Sequence, residues 1–160
     1  MNNEISKTMS RVAIDTLEQL AFIFSSPSEE IDMLTPDATV ASVPFSGPFS
    51  GRLMMKMDTL PVLELVSNML GIEEDEIDSE QKFDAIKETL NILCGNLLPE
   101  IAGDQDIFSI KTPRIMSKEE LIEDENEEAF AAAGLSIDDE MCSIYLFVDS
   151  DIPEGSLVSE

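Results

Sequence analysis

The chain has 160 residues, 43% of them hydrophobic, which suits one domain built around one core. Nine Lys and Arg stand against 34 Asp and Glu, and a net charge of −25 repels nucleic-acid phosphates and anionic membrane surfaces alike. No histidine is present, so His-activated nucleophiles, His general bases and most zinc sites are excluded.

The first residues form neither a basic leader nor an apolar signal, and no run approaches the roughly 18 apolar residues of a membrane span, so the expected location is the cytoplasm. From Ser6 to Phe24 the apolar residues Met9, Val12, Ala13, Leu17, Leu20, Ala21 and Phe24 recur at steps of three and four, which predicts a long amphipathic helix. Pro27 and the polar stretch from Ser25 to Glu30 end it. Thr39 to Phe45 and Arg52 to Met57, joined by a Gly- and Pro-containing turn, predict a hairpin. Asp58 or Thr59 caps a short second helix that carries Pro61 in its first turn and closes at Gly71. Between Glu73 and Glu80 six of eight residues are acidic. This segment reads as a solvated linker, with Ser79 capping the next helix, and it lacks the Asp-x-Asp-x-Asp-Gly pattern of a calcium loop.

The third helix runs from Glu80 to about Ala102. Phe83, Ile86, Leu90, Leu93 and Leu97 make its buried stripe, and Asp84, Glu88, Asn91 and Gly95 form a separate row. Positions i, i+4 and i+7 share a helical face, so an acid, a second acid and an amide project side by side. Gly95 costs about 1 kcal/mol relative to Ala in a helix interior, and close approach of a partner or close packing of another helix are its two explanations. Pro99 is expected to loosen the last turn. Ile107 to Met116, which contains Pro113, reads as a strand, and Ser117 to Glu128 as an acidic turn or short helix. Ala129 to Ile137 and Met141 to Asp149 predict a second hairpin, turned at Asp138-Asp139-Glu140 and followed by a frayed tail from 151 to 160. Cys94 and Cys142 lie inside apolar segments, as buried reduced thiols do.

The chain carries an internal echo. Glu18-Gln-Leu-Ala21 is followed after 22 residues by Pro44, and Glu88-Thr-Leu-Asn91 after 21 by Pro113. Helix, strand and hairpin thus recur about 70 residues apart. The first copy has Ala21 where the second has Asn91, so one functional site per chain is expected.

Asp84-x3-Glu88-x2-Asn91 with Pro113 behind it resembles the signature of the CheC/CheX/FliY family of chemotaxis phosphatases: Asp or Ser, three residues, Glu, two residues, Asn, about 22 residues, Pro. The gap before Pro113 is one residue short of that pattern. The resemblance spans roughly Ser6 to Ser150 and is nearest the one-motif CheX branch. It implies an α+β fold (an α/β sandwich) of two pseudo-symmetric helix-strand-hairpin halves, with long helices packed on a mainly antiparallel sheet in a single domain over 1–160. It also implies a protein aspartyl-phosphate phosphatase whose partner is a phosphorylated CheY-like receiver domain, and a homodimer. In that scheme Asn91 orients the hydrolytic water and Glu88 docks a receiver lysine. Asp84, Lys87, Gly95 and Pro113 support, and the receiver brings Mg2+, so the chain has no cofactor of its own. The alternative is a non-catalytic module that binds a receiver or a flagellar switch protein. Lys82, Lys87, Lys111, Arg114 and Lys118 follow one another on or just after the motif helix, and a less acidic patch around Asn91 is expected from them.

Overall fold

In the computed structural model, residues 2–31, 36–103, 107–124, 127–149, 152 and 157 are described. Helix α1 (Asn3–Ala21) leads into strand β1 (Ser26–Ser28) and the hairpin β2 (Thr39–Ser46) and β3 (Gly51–Met57). Helix α2 (Thr59–Leu70) and a 3-10 turn (Glu74–Glu76) connect to helix α3 (Ser79–Ala102). Two short strands, β4 (Ser109–Ile110) and β5 (Arg114–Ile115), helix α4 (Lys118–Asp124) and the hairpin β6 (Ala131–Ile137) and β7 (Glu140–Val148) complete the chain. Most of the expected tail lies outside the described residues, although Ile152 and Leu157 pack on the core.

The seven strands form one sheet in the order β1-β6-β7-β3-β2-β4, with β5 also on β2, and all described ladders are antiparallel. The two hairpins meet in the middle, where β3 pairs with β7. The strand after α1 flanks the second hairpin, and the strands after α3 flank the first. The two halves therefore exchange edge strands about a pseudo-two-fold axis, and the repeated order of elements in the sequence has a direct structural counterpart.

Period-2 alternation sorts the sheet residues onto two faces. Leu53, Met55, Met57, Cys142, Ile144 and Leu146 point into the main core beneath the helices, with Ile86, Leu90, Leu93 and Leu97 of α3 opposite them. The other face carries Val40, Met54, Tyr145, Phe147 and Met116, covered in part by Leu121 of α4. There Arg52 lies 4.2 Å over the Phe147 ring and Lys56 lies 4.9 Å over Tyr145. A fully buried aliphatic side chain such as Leu90 contributes about 1.5–3 kcal/mol on removal from water. This burial, rather than helix propensity, holds α3 in place.

Several local expectations are corrected. Helix α1 ends at Ala21 because Phe22 takes a left-handed conformation (φ 55, ψ 31), and its N–H donates to the Glu18 carbonyl. The left-handed region costs a non-glycine residue about 1–2 kcal/mol. Phe24, expected in the buried stripe, is 73% exposed, and Ile23 is buried in its place. Asp58 occupies the N-cap position of α2 without making a side-chain cap; its Oδ2 instead accepts the Met141 N–H at 2.9 Å. Asp78, not Ser79, caps α3, in a reciprocal capping box with Gln81. Pro99 sits inside α3 without ending it, one turn before Gly103, whose N–H donates to the Pro99 carbonyl. Phe83 is only half-buried.

The single strand expected from Ile107 to Met116 is instead two fragments. Phe45 pairs with Ile110 and Ser42 with Arg114, so Val43 and Pro44 on β2 face three residues, Lys111 to Pro113, on the other side. The extra residue makes a bulge, and proline, which lacks an N–H, fits where the ladder is interrupted. Ile110 and Ile115 are five positions apart, an odd offset that would place them on opposite faces of a regular strand. With the bulge, both pack on the main core.

Candidate functional site

Asp84, Glu88, Asn91 and Gly95 are all exposed along one side of α3, while the opposite side is buried. Neither Glu88 nor Asn91 makes a side-chain hydrogen bond or ion pair with a described residue, so both are available to a partner. Between them Thr89 is fully buried and its Oγ1 donates to the Ala85 carbonyl at 2.8 Å. Asp84 and Lys87 form an exposed ion pair at 3.6 Å, of the kind worth little in water. The two side chains thus stand on a 24-residue helix that is capped at its start and packed along its length.

Gly95 closes the row beside a shallow polar groove between α1 and α3, lined by Arg11, Asp15, Thr16, Gln19 and Asn96. A methyl group added at Gly95 meets only Ile110 Cδ1, at 3.8 Å, which is ordinary contact. Close packing of another helix therefore does not explain the glycine, and the partner explanation is left standing. Beneath it, Cys94 is buried, and burial pushes its thiol up to about 12, so it carries no thiolate chemistry. Pro113 lies in the bulge between β4 and β5. Its bulge turns Ile110 inward under α3, at the level of Gly95.

Two of the five basic residues expected around Asn91 belong to the other face of the sheet. Arg114 pairs with Glu120 of α4, on the face of the sheet away from α3, and Lys118 begins that same helix. Lys87 is engaged by Asp84, and Lys82 lies over the Phe83 ring. Nearness in sequence misled because strand alternation sends Arg114 to the opposite side from Ile115. Two exposed aromatics that the sequence reading missed, Phe22 and Phe24, flank the end of α1 instead. The run Phe22-Ile23-Phe24 gave no sign of this, because the left-handed turn at Phe22 is what breaks the helical period. Among the described residues no group of three or more Cys, Asp and Glu is placed to hold a metal ion, and no helix is long and apolar enough to cross a membrane.

The architecture is a helix-on-sheet sandwich with pseudo-symmetric halves, and α3 presents a Glu-x-x-Asn pair that makes no side-chain bond with a described residue. The family described as chemotaxis phosphatase CheX matches residues 39–134, more than half of the chain, and the chain belongs to that family. Solved structures share its fold. A CheX–CheY–BeF3–Mg2+ complex from Borrelia burgdorferi aligns at TM-score 0.68 with 17% identity, covering 90% of this chain and 97% of the other. CheX from Vibrio vulnificus aligns at 0.71 with 17% identity, covering 91% and 97%. FliY from Thermotoga maritima aligns at 0.54 with 17% identity, covering 93% and 92%. No curated protein matches the chain by sequence.

Proposed function

We propose that this chain hydrolyses the acyl phosphate of a phosphorylated CheY-like receiver domain, with Asn91 orienting the attacking water and Glu88 docking a receiver lysine. The observation that carries the reading is the free, exposed Glu88 and Asn91 pair on a helix whose other side is locked into the core. The Borrelia burgdorferi relative in complex with CheY, BeF3 and Mg2+ supports it, since BeF3 mimics a phosphoryl group.

Acyl phosphate hydrolysis needs water placed in line with the departing carboxylate oxygen; the water oxygen bonds to phosphorus, the acyl oxygen–phosphorus bond breaks, and inorganic phosphate leaves with the water's protons. A carboxamide both donates and accepts hydrogen bonds, so Asn91 can hold the water while contacting a phosphoryl oxygen. Glu88, one turn earlier, is a fixed acceptor for an ammonium group. Asp84, one turn before Glu88, pairs with Lys87 at the solvent-exposed surface. Magnesium, which spreads the phosphoryl charge, belongs to the receiver in this scheme, and Pro113 acts only by supporting α3 from below.

The test is to follow loss of phosphate from a CheY-type receiver charged from acetyl phosphate and Mg2+, with and without the chain. Faster loss is expected. Glu88→Ala is expected to raise KM and Asn91→Ala to lower kcat, and binding without acceleration would establish a non-catalytic module instead.

A further inference from the structure

Two large apolar side chains stand almost free in solvent at the end of α1, Phe22 at 74% and Phe24 at 73% exposure, with Leu70 at 47% at the end of α2. The two ends meet, and the end of α2 also touches the middle of α3: Asn68 Nδ2 donates to the Ala21 carbonyl at 2.7 Å, and Thr89 Oγ1 lies 3.4 Å from Met69 Sδ. The antiparallel crossing that joins Arg11 to Glu100 and Thr16 to Asn96, carried about one turn further, sets Ala21 level with Leu90 and Asn91. Measured along the helix axes, the aromatic pair therefore stands level with the Glu88 end of the row, at the far end of the helix that borders it. Phe22 is also held in a left-handed conformation that glycine adopts without strain. Retaining an exposed phenyl ring on strained backbone gives the folded chain nothing, and such outliers collect at binding surfaces.

We infer that Phe22 and Phe24 are an apolar anchor for the receiver domain, continuing the docking face of Glu88 and Asn91; this rests on the function proposed above. The charge pattern selects the occupant. Glu18 is exposed on α1 and Glu88 on α3, so the aromatic centre has an acidic margin and suits a surface that presents an apolar hollow bordered by lysine. The receiver in the proposed reaction supplies that lysine to Glu88. A second copy of this chain would bring another −25 charges to the same margin and is the poorer fit.

Phe22→Gly, Phe24→Ser and the double variant test this with the receiver charged from acetyl phosphate and Mg2+. Phe22→Gly is expected to melt at or above the wild-type temperature, because glycine relieves the left-handed residue. In the double variant KM for the phosphorylated receiver is expected to rise tenfold or more while kcat changes less than twofold. An unchanged KM overturns the inference. If the wild-type chain gives no acceleration, the proposed function fails instead, and binding of the BeF3-loaded receiver decides the anchor separately. Binding lost in the double variant supports the anchor, and equal binding overturns it. A wild-type dimer that the double variant dissociates, measured by sedimentation, assigns the patch to a second copy and overturns it as well.

Discussion

Gly95→Ala separates a glycine kept for packing from one kept for a partner. Gly in a helix interior costs about 1 kcal/mol relative to Ala, and the added methyl at this site meets only Ile110 Cδ1, at 3.8 Å. Nothing in the fold therefore opposes the gain. For a chain of 160 residues, a gain of about 1 kcal/mol raises Tm by roughly 2–4 °C. The same methyl stands one turn beyond Asn91 on the exposed row, so it narrows the space left for a docked receiver. Thermal melting followed by circular dichroism, together with kcat/KM for the phosphorylated receiver, reads both effects. The expected result is a more stable, slower protein, with Gly95→Leu slower again. A fall in Tm would show that the fold itself demands glycine, and unchanged kcat/KM in both variants would show that no partner comes close there.

Other consequences follow from groups away from the row. The Glu140 carboxyl is raised above its ordinary value near 4.5 by desolvation first, and then by a hydrogen bond with Asp58 and the charges of Asp58 and Asp139. A raised folded-state value means that its stabilisation is complete below pH 4.5 and is lost as pH rises through the folded value. Glu140→Gln is therefore expected to melt higher than wild type at pH 7, with the difference closing below pH 4.5; parallel Tm curves across that range contradict the Asp58–Glu140 pairing. Burial pushes the thiols of Cys94 and Cys142 up to about 12, with the charge of Asp58 adding to Cys142. Neither is expected to react with a thiol reagent at pH 8 until the protein is unfolded, and rapid labelling of the native chain would refute their burial. Pro113→Ala frees the chain at the bulge and is expected to cost about 0.4–1 kcal/mol, mostly through the unfolded state, seen as a Tm lower by roughly 1–4 °C. A rise in Tm would mean that proline is not what suits this break in the ladder.

Much of this architecture is legible along the chain because local chemistry and tertiary context agree. Asn91, Glu88 and Asp84 fall on one exposed row of α3 because the apolar residues between them keep the helical period. The two hairpins are marked by alternation and by their turns, with Asp138 and Asp139 both at positive φ. The failures are places where tertiary contacts overrule local signals. Asp58 has the composition of a cap yet spends its carboxylate on Met141. The bulge at Pro113 is invisible to a reading that counts alternation, since it is defined only by the partner strand. Arg114 is three residues from Lys111 in sequence, but its bond to Glu120 of α4 lies on the far side of the sheet. Phe24 continues the helical period of α1 on paper; one left-handed residue at Phe22 moves it into solvent.

The most direct test of the central claim is the dephosphorylation rate of a charged CheY-type receiver with saturating wild-type chain and with Asn91→Ala. Asn91 is exposed and supports no described contact, so the variant is expected to fold and to bind the BeF3-loaded receiver as wild type does. Its acceleration is expected to fall about 100-fold or more, as loss of a positioning group for water implies. A folded Asn91→Ala protein that hydrolyses the acyl phosphate as fast as wild type would contradict the account.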